Sequence, residues 1–368
     1  MTKRERFFAA MAHQQPDHTP VDFCGMSLTS AGSPTVVERV AKALGITEEG
    51  NRILPAVQQK LGADFTSVGY IFNPDNIYNK TSPTKTVDCW GVERTDTGLY
   101  WDITYSPLAD AEIEDLETFH WPDAADIPQS AFDQLAEQAK RLYYDSDLVV
   151  IGEHPTYGVM ELGCWMCGFD DFLYRMLAEP EFVERFFDHV WQYQRNVIDR
   201  YYSAIGPYLH ITTSGDDFGT QNAPFLSPET FRQLIAPRYK ERIALTKQHT
   251  KAYYFHHTCG SVYRLMDQIA DCGVDILNPI QPGALEMEPE RIKRDFGHRF
   301  TFWGGIDEQK LLTSGTAQEV YRETQHVLSI LGKDGGYVMA PSHNIQVDVP
   351  TENILAMYQA AKDMEGWS

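Results

Sequence analysis

Apolar residues recur at three- and four-residue spacing over 2–12, 34–44, 130–142, 180–202, 228–249, 260–271, 288–295, 316–331 and 350–363, which predicts amphipathic helices. Two starts are marked: Ser227 before Pro228, and Pro350-Thr351-Glu352. Between the helices stand short apolar runs: "TPVDFCG", "ADFTSVG", "DLVVIGE", "YLHITTSGDD", "AYYFHHTC", "VDILNPI", "FTFWGGID" and "GYVMAPSH". They read as buried strands, and regular strand–helix alternation implies a parallel sheet. A series of about eight such units implies a closed (β/α)8 barrel, the TIM-barrel architecture, rather than an open sheet. Residues 71–125 break the rhythm. Rich in Pro, Asp, Thr and Trp, and containing "KTVDCWGVERTDTGLYWDITYSPLAD", they read as a β-rich excursion between early strands, within one domain spanning 1–368.

Composition narrows the function classes. The 368 residues suit a barrel with an insertion, and 43% hydrophobic with 23% charged residues is ordinary for a soluble globular protein. A net charge of −21 argues against binding a phosphate backbone, so no nucleic-acid partner is expected. The opening "MTKRERFFAAMAHQQPDHTP" is too charged for a signal peptide, and no window reaches membrane-span length; a cytoplasmic protein is expected. Six cysteines without small-scaffold spacing suggest reduced thiols. "CWMC" at 164–167 is followed by a helical pattern, not a thioredoxin-like context, and reads as structural.

In a barrel the chemistry sits where strands end at the C-terminal face. Those ends carry Asp22 and Cys24, Glu153 and His154, Asp216 and Asp217, His257 and Cys259, Asn278 and Gln281, Asp307, then Ser342, His343 and Asn344. Side chains two apart on an extended chain point the same way, so His257 and Cys259 in "YYFHHTCGSV" can grip one ion. On His-x-Cys alone the bland alternative is a buried thiol beside a hydrogen-bonded imidazole. His343, on the last strand, supplies a third donor and leaves an open position, the pattern of catalytic zinc. Glu153 or a water is the candidate fourth ligand. Asp216, Asp217 and Asn278 are candidate catalytic residues, although the two aspartates could instead hold a turn. Gln281 and the aromatics Tyr70, Trp90, Tyr157, Trp165 and Trp303 are candidates for binding substrate, with core packing as the alternative.

At these residues the chain resembles the uroporphyrinogen decarboxylase superfamily. "RERFFAAMAHQQPDHTPVDF", "GDDFGTQNAPFLSPETFRQLIAPRYK", "FHHTCGSVYRLMDQIADCGVDILNPIQ" and "GGYVMAPSHNIQVDVPTENILAMYQAAK" carry the likeness nearly end to end. True decarboxylases show Arg-Gln-Ala-Gly-Arg after the opening; "VDFCGMSLTSAG" here has no arginine. Their aspartate in Phe-Ser-Asp has no match either, since Asp64 in "ADFTSVGYIF" falls too early. A polycarboxylate site without arginines is electrostatically unsuitable. The other branch, the corrinoid-dependent methyltransferases, is similar in its His-x-Cys-Gly, matched by His257 and Cys259. It usually has a further cysteine in Pro-Gly-Cys-Gly, where "PSHN" puts His343.

The resemblance implies a zinc-assisted methyltransferase. One cysteinate and two imidazoles leave zinc more positive than two cysteinates would, a stronger Lewis acid. The expected reaction is O-demethylation: methyl transfer from a methoxylated small molecule, aromatic ones included, to the Co(I) of a separate corrinoid protein. Asp217 would assist the departing oxygen. The chain has no corrinoid-binding Asp-x-His-x-x-Gly segment, so cobalamin or another corrinoid is expected on that partner. A second copy of the chain, as a homodimer, is a further candidate partner. The alternatives are the reverse transfer, from methyl-corrinoid to a thiol or tetrahydrofolate, and a metal-free barrel that binds a small ligand.

Overall fold

Seven of the apolar runs lie on strands of one largely buried sheet, which is why they are nearly continuous rather than alternating. In the computed structural model, which describes residues 1–29, 33–70, 79–98 and 101–364, these strands form one parallel sheet. We number them β1 (Phe65–Val68), β6 (Val149–Gly152), β7 (Ile211–Gly215), β8 (Tyr253–His257), β9 (Ile276–Ile280), β10 (Thr301–Ile306) and β11 (Tyr337–Pro341), neighbours in that order. Between β1 and β6 the excursion carries a separate antiparallel sheet: β2 (Asn79–Ser82), β3 (Lys85–Val87), β4 (Glu93–Asp96) and β5 (Trp101–Tyr105). Residues 71–78 of the excursion lie outside the described residues.

The expected strand "TPVDFCG" shrinks to one bridge, Val21 with Met339. Proline 20 has no N–H to give, and Cys24 takes a left-handed φ of 53°, so the chain turns away. The remnant still closes the ring. Met339 N–H donates to the Pro20 carbonyl and Asp22 N–H to the Met339 carbonyl, both at 2.9 Å; on the other side Asp64 N–H reaches the Val21 carbonyl at 2.9 Å. The fold is therefore the predicted (β/α)8 barrel, with its eighth strand reduced to a seam.

Helices surround the sheet much as the pattern predicts, with some differences. Residues 260–271 are helical only from Tyr263, because Gly260 sits at φ +81° against the carbonyls of Gly219 and Thr220, where a Cβ would collide. The predicted helix 228–249 contains a π turn, Phe231–Ile235, before Ala236–His249. The helices Ile53–Leu61 and Val159–Cys167 were not expected. Among the described residues no helix is long and apolar enough to cross a membrane.

Phe65, Ile151, Ile211, Phe255, Ile276 and Trp303 fill the barrel, and Phe7 and Met11 of the helix Lys3–Met11 plug it. Trp303 is a correction to the sequence reading. Instead of facing substrate it is fully buried, 4.5 Å from the Phe65 ring, with its indole N–H on Asp22 Oδ2 at 3.3 Å. Trp90 is also buried, packing on Tyr193 of the helix Pro180–Ile205 and pinning the excursion to the barrel wall.

Candidate metal centre

Strand register delivers the donors. His257 ends β8 opposite Gly215 of β7 and Asn278 of β9. Its Nδ1 lies 2.6 Å from Asn278 Oδ1, and Asn278 Nδ2 donates to the Trp303 carbonyl at 3.2 Å. That second bond fixes the amide, so Oδ1 is the acceptor and Nδ1 carries the proton. The lone pair is then on Nε2, which faces Cys259 Sγ at 3.3 Å. Cys259 is held in turn by its N–H on Asp217 Oδ1 at 2.7 Å. After β11, Ser342 Oγ donates to the carbonyls of Ile280 at 2.9 Å and Ile306 at 3.1 Å. This ties the last loop across β9 and β10 and brings the His343 ring to 5.6 Å from the His257 ring.

One donor atom each from His257, Cys259 and His343 falls within 4.8 Å of the other two. Two imidazole nitrogens, one sulfur and room for a further ligand fit a tetrahedral zinc-type ion. Burial pushes the His343 imidazole down to about 4, with His257 adding to the effect, so it is neutral and able to ligate at pH 7. Burial, reinforced by Asp217, pushes the Cys259 thiol up. A bound cation would reverse that second effect by favouring the thiolate.

The profile of the family described as Uroporphyrinogen decarboxylase (URO-D) matches residues 106–364. The chain belongs to the uroporphyrinogen decarboxylase family. Its similarity falls on the methyltransferase branch. Two proteins named Methylcobamide:CoM methyltransferase MtaA, one from Methanosarcina barkeri strain Fusaro / DSM 804 and one from Methanosarcina barkeri, are 30% identical to it over 139 residues. That stretch is 38% of this chain and 37% of each relative, so the chain matches little more than a third of their length. A solved structure titled methyltransferase from Methanosarcina mazei shares the fold, with a TM-score of 0.67 at 18% identity over 99% of both chains.

This family member deploys its other rim residues variously. Glu153 stands apart from the three donors: Ser27 N–H and Ser27 Oγ donate to its two oxygens at 2.8 and 2.9 Å, and burial pushes it up to about 7. Asp216 is fully buried and accepts the N–H groups of Met160 at 3.0 Å and Glu161 at 2.8 Å. It serves the start of the helix Val159–Cys167, whereas its neighbour Asp217 turns to Cys259. Gln281 Oε1 accepts from Gly260 N–H at 3.0 Å. Tyr70 donates to Ser27 Oγ and stands edge-on to His154. Tyr157 and Trp165 pack edge to face at 4.9 Å, with the Arg94 guanidinium 5.1 Å over the Trp165 ring.

A cleft of about 440 Å³ opens beside Cys259 and His343. Glu308 on its wall was missed from the sequence, where the adjacent Asp307 drew attention; Asp307 Oδ1 caps a turn, accepting from Gln309 N–H at 2.9 Å. Burial pushes Glu308 up to about 7, and its Oε2 has no hydrogen-bond partner. The available signal was its position two residues past the end of β10.

Proposed function

We propose that this protein is a zinc-dependent methyltransferase that moves a methyl group from a methoxylated small molecule to the Co(I) of a separate corrinoid protein. The observation that carries the reading is the donor set itself, one thiol and two imidazoles at the barrel mouth. Zinc held by His257, Cys259 and His343 would supply Lewis acidity toward an ether oxygen, and with a single thiolate it keeps net positive charge. The chain's own residues do the rest. Asn278 holds His257 in the tautomer that presents Nε2, and Asp217 holds the Cys259 backbone. In the reaction the methyl–oxygen bond breaks, and both electrons of the new carbon–cobalt bond come from Co(I). The oxygen leaves with the old bonding pair and takes a proton, for which Asp217, held against the Cys259 backbone, and Glu308, on the cleft wall, are the candidates. The missing arginines in "VDFCGMSLTSAG" weigh against porphyrinogen decarboxylation.

The reading is tested with reduced cobalamin and a panel of methyl ethers, following methylcobalamin by absorbance, alongside metal analysis of the parent and Cys259→Ala. One zinc per chain, lost in Cys259→Ala, and methylcobalamin formation are the expected results. Full metal occupancy in Cys259→Ala would defeat the ligand assignment. A second reading, methyl transfer from a methyl-corrinoid to a thiol, is favoured by the name of the Methanosarcina barkeri relatives. His343→Cys separates the two. On the donor-side reading it slows demethylation while zinc is retained, mainly in the chemical step. Unchanged demethylation in that variant, with ready thiol methylation by the parent, would reverse the direction.

A further inference from the structure

The walls of the cleft at Cys259 and His343 are chemically one-sided. Five carboxamides line it, from Gln221, Gln281, Gln309, Asn344 and Gln346. Two carboxyl groups, Glu308 and Asp348, are the only charged side chains among its described lining residues; no lysine or arginine is among them. Nor does any Phe, Tyr or Trp line it. Gln281 is fixed in orientation, since Gly260 N–H occupies its Oε1 and leaves the amide NH2 as its remaining group. Two buried oxygens on this wall, Glu308 Oε2 and Asn344 Oδ1, have no hydrogen-bond partner. Leaving such acceptors unpaired costs on the order of 1–3 kcal/mol each, a cost that a donor from a bound molecule would remove.

Three ligand classes can be weighed against these walls. A carboxylate or sulfonate would meet two carboxyl groups and no side-chain cation, so its desolvation would be offset only by the metal. Among the described lining residues an aromatic ring would find no Phe, Tyr or Trp to stack on; Trp303 is in the barrel core, and Tyr157 and Trp165 pack on each other. A quaternary ammonium group would lack the aromatic cage that ordinarily holds it. A hydroxyl group both donates and accepts, as a carboxamide does, and can also give a proton to a lone acceptor oxygen. Several hydroxyls on a small skeleton would engage these five amides. The volume lies within the range of about 300–1,000 Å³ usual for small-molecule sites.

Resting on the reading of the protein as a donor-side methyltransferase, we propose that its methyl donor is an uncharged, polyhydroxylated methyl ether, of the class of a methoxylated sugar or polyol. The ether oxygen lies toward Cys259 and His343, and the hydroxyls lie along Asn344, Gln346 and Glu308.

The test is calorimetric titration of the zinc-loaded protein without any corrinoid. The probes are monomethyl ethers of glycerol, glucose and inositol, then 4-methoxybenzoate, then (2-methoxyethyl)trimethylammonium. At least one polyol ether should bind about tenfold or more tighter than the benzoate and the ammonium ether. Asn344→Leu and Gln346→Leu should each weaken that binding about tenfold, while Gln309→Lys, at an exposed position, should narrow the gap to the benzoate. Tightest binding of the benzoate or the ammonium ether would overturn the proposal. So would polyol-ether binding indifferent to both leucine variants, or no binding by any polyol ether. The two readings fail separately. A polyol ether that binds but never methylates Co(I) cobalamin defeats the transfer reaction and leaves the ligand class standing, and transfer from an arene ether does the opposite.

Discussion

A single hydrogen bond decides what His257 can do. With Asn278 Oδ1 on Nδ1, the imidazole presents a lone pair to Cys259 and is oriented before any ion arrives. Second-layer partners of this kind are worth about 10–100-fold in metal affinity. Asn278→Ala should therefore retain the fold and lose zinc to a competing chelator at about 10–100-fold lower chelator strength, as read by chelator titration. Glu308 makes a prediction in pH. Its carboxyl is raised to about 7, so the protonated form is present below that value and is lost as pH rises through it. If it protonates the leaving oxygen, single-turnover demethylation falls about tenfold per pH unit above 7, and Glu308→Gln is slower by about 10²–10⁴ with that limb removed. An identical limb in Glu308→Gln would assign the proton to Asp217 or water. The convergence of His257, Cys259 and His343 was legible in the sequence because each sits at or just past a strand end, where the barrel fixes direction. The roles of Glu153, Asp216 and Trp303 were not legible. Their partners, Ser27, the backbone at 160–161 and Asp22, come from segments whose approach the local pattern does not encode.

Among elements, the helix Val159–Cys167 and the tip of β7 share one joint. Asp216 takes two N–H groups at the helix start, and Gly158, just before it, leaves the space that the carboxylate occupies. An added methyl there would overlap the Asp216 carboxyl group. Gly158→Ala should displace it, leave two helix N–H groups unpaired and lower stability by about 1–3 kcal/mol. Denaturant unfolding monitored by circular dichroism checks this; a variant within about 0.5 kcal/mol of the parent would show that the joint yields freely. The same scale shows where sequence pattern misleads. Periodicity carried the helix prediction back to residue 260, but the close approach of Gly260 to the 219–220 backbone holds that turn open. The apolar "TPVDFCG" predicted a full strand, and Pro20 together with the turn at Cys24 cut it to a bridge.

Across the whole molecule, the barrel floor is joined by charge. Arg6 of the plugging helix reaches Asp64 Oδ1 at 2.6 Å and Asp17 Oδ1 at 2.8 Å, and Asp64 Oδ2 accepts from Val21 N–H at 2.8 Å. Burial outweighs the arginine and keeps Asp64 raised, to about 6, so removing its partner leaves an expensive group behind. Arg6→Leu should cost about 3–5 kcal/mol, and adding Asp64→Asn should recover part of it, since the amide oxygen can still accept from Val21. Additive losses in this double-mutant cycle would show that the two residues do not act as a pair. The same floor meets the seam, where the bridge from Val21 to Met339 is backed by Tyr358 donating to the Asp22 carbonyl at 2.6 Å, 336 residues away. Synthesis runs in one direction, so a ribosome that has not passed β11 carries a trough, not a ring. Its cavity lining faces solvent, and β10 has a bare edge. Chains stopped before Tyr337 should therefore be captured by chaperones and cut by protease within the barrel lining, and chains extended past Asp363 should resist both. The ring can close only once β11 and Tyr358 have been made.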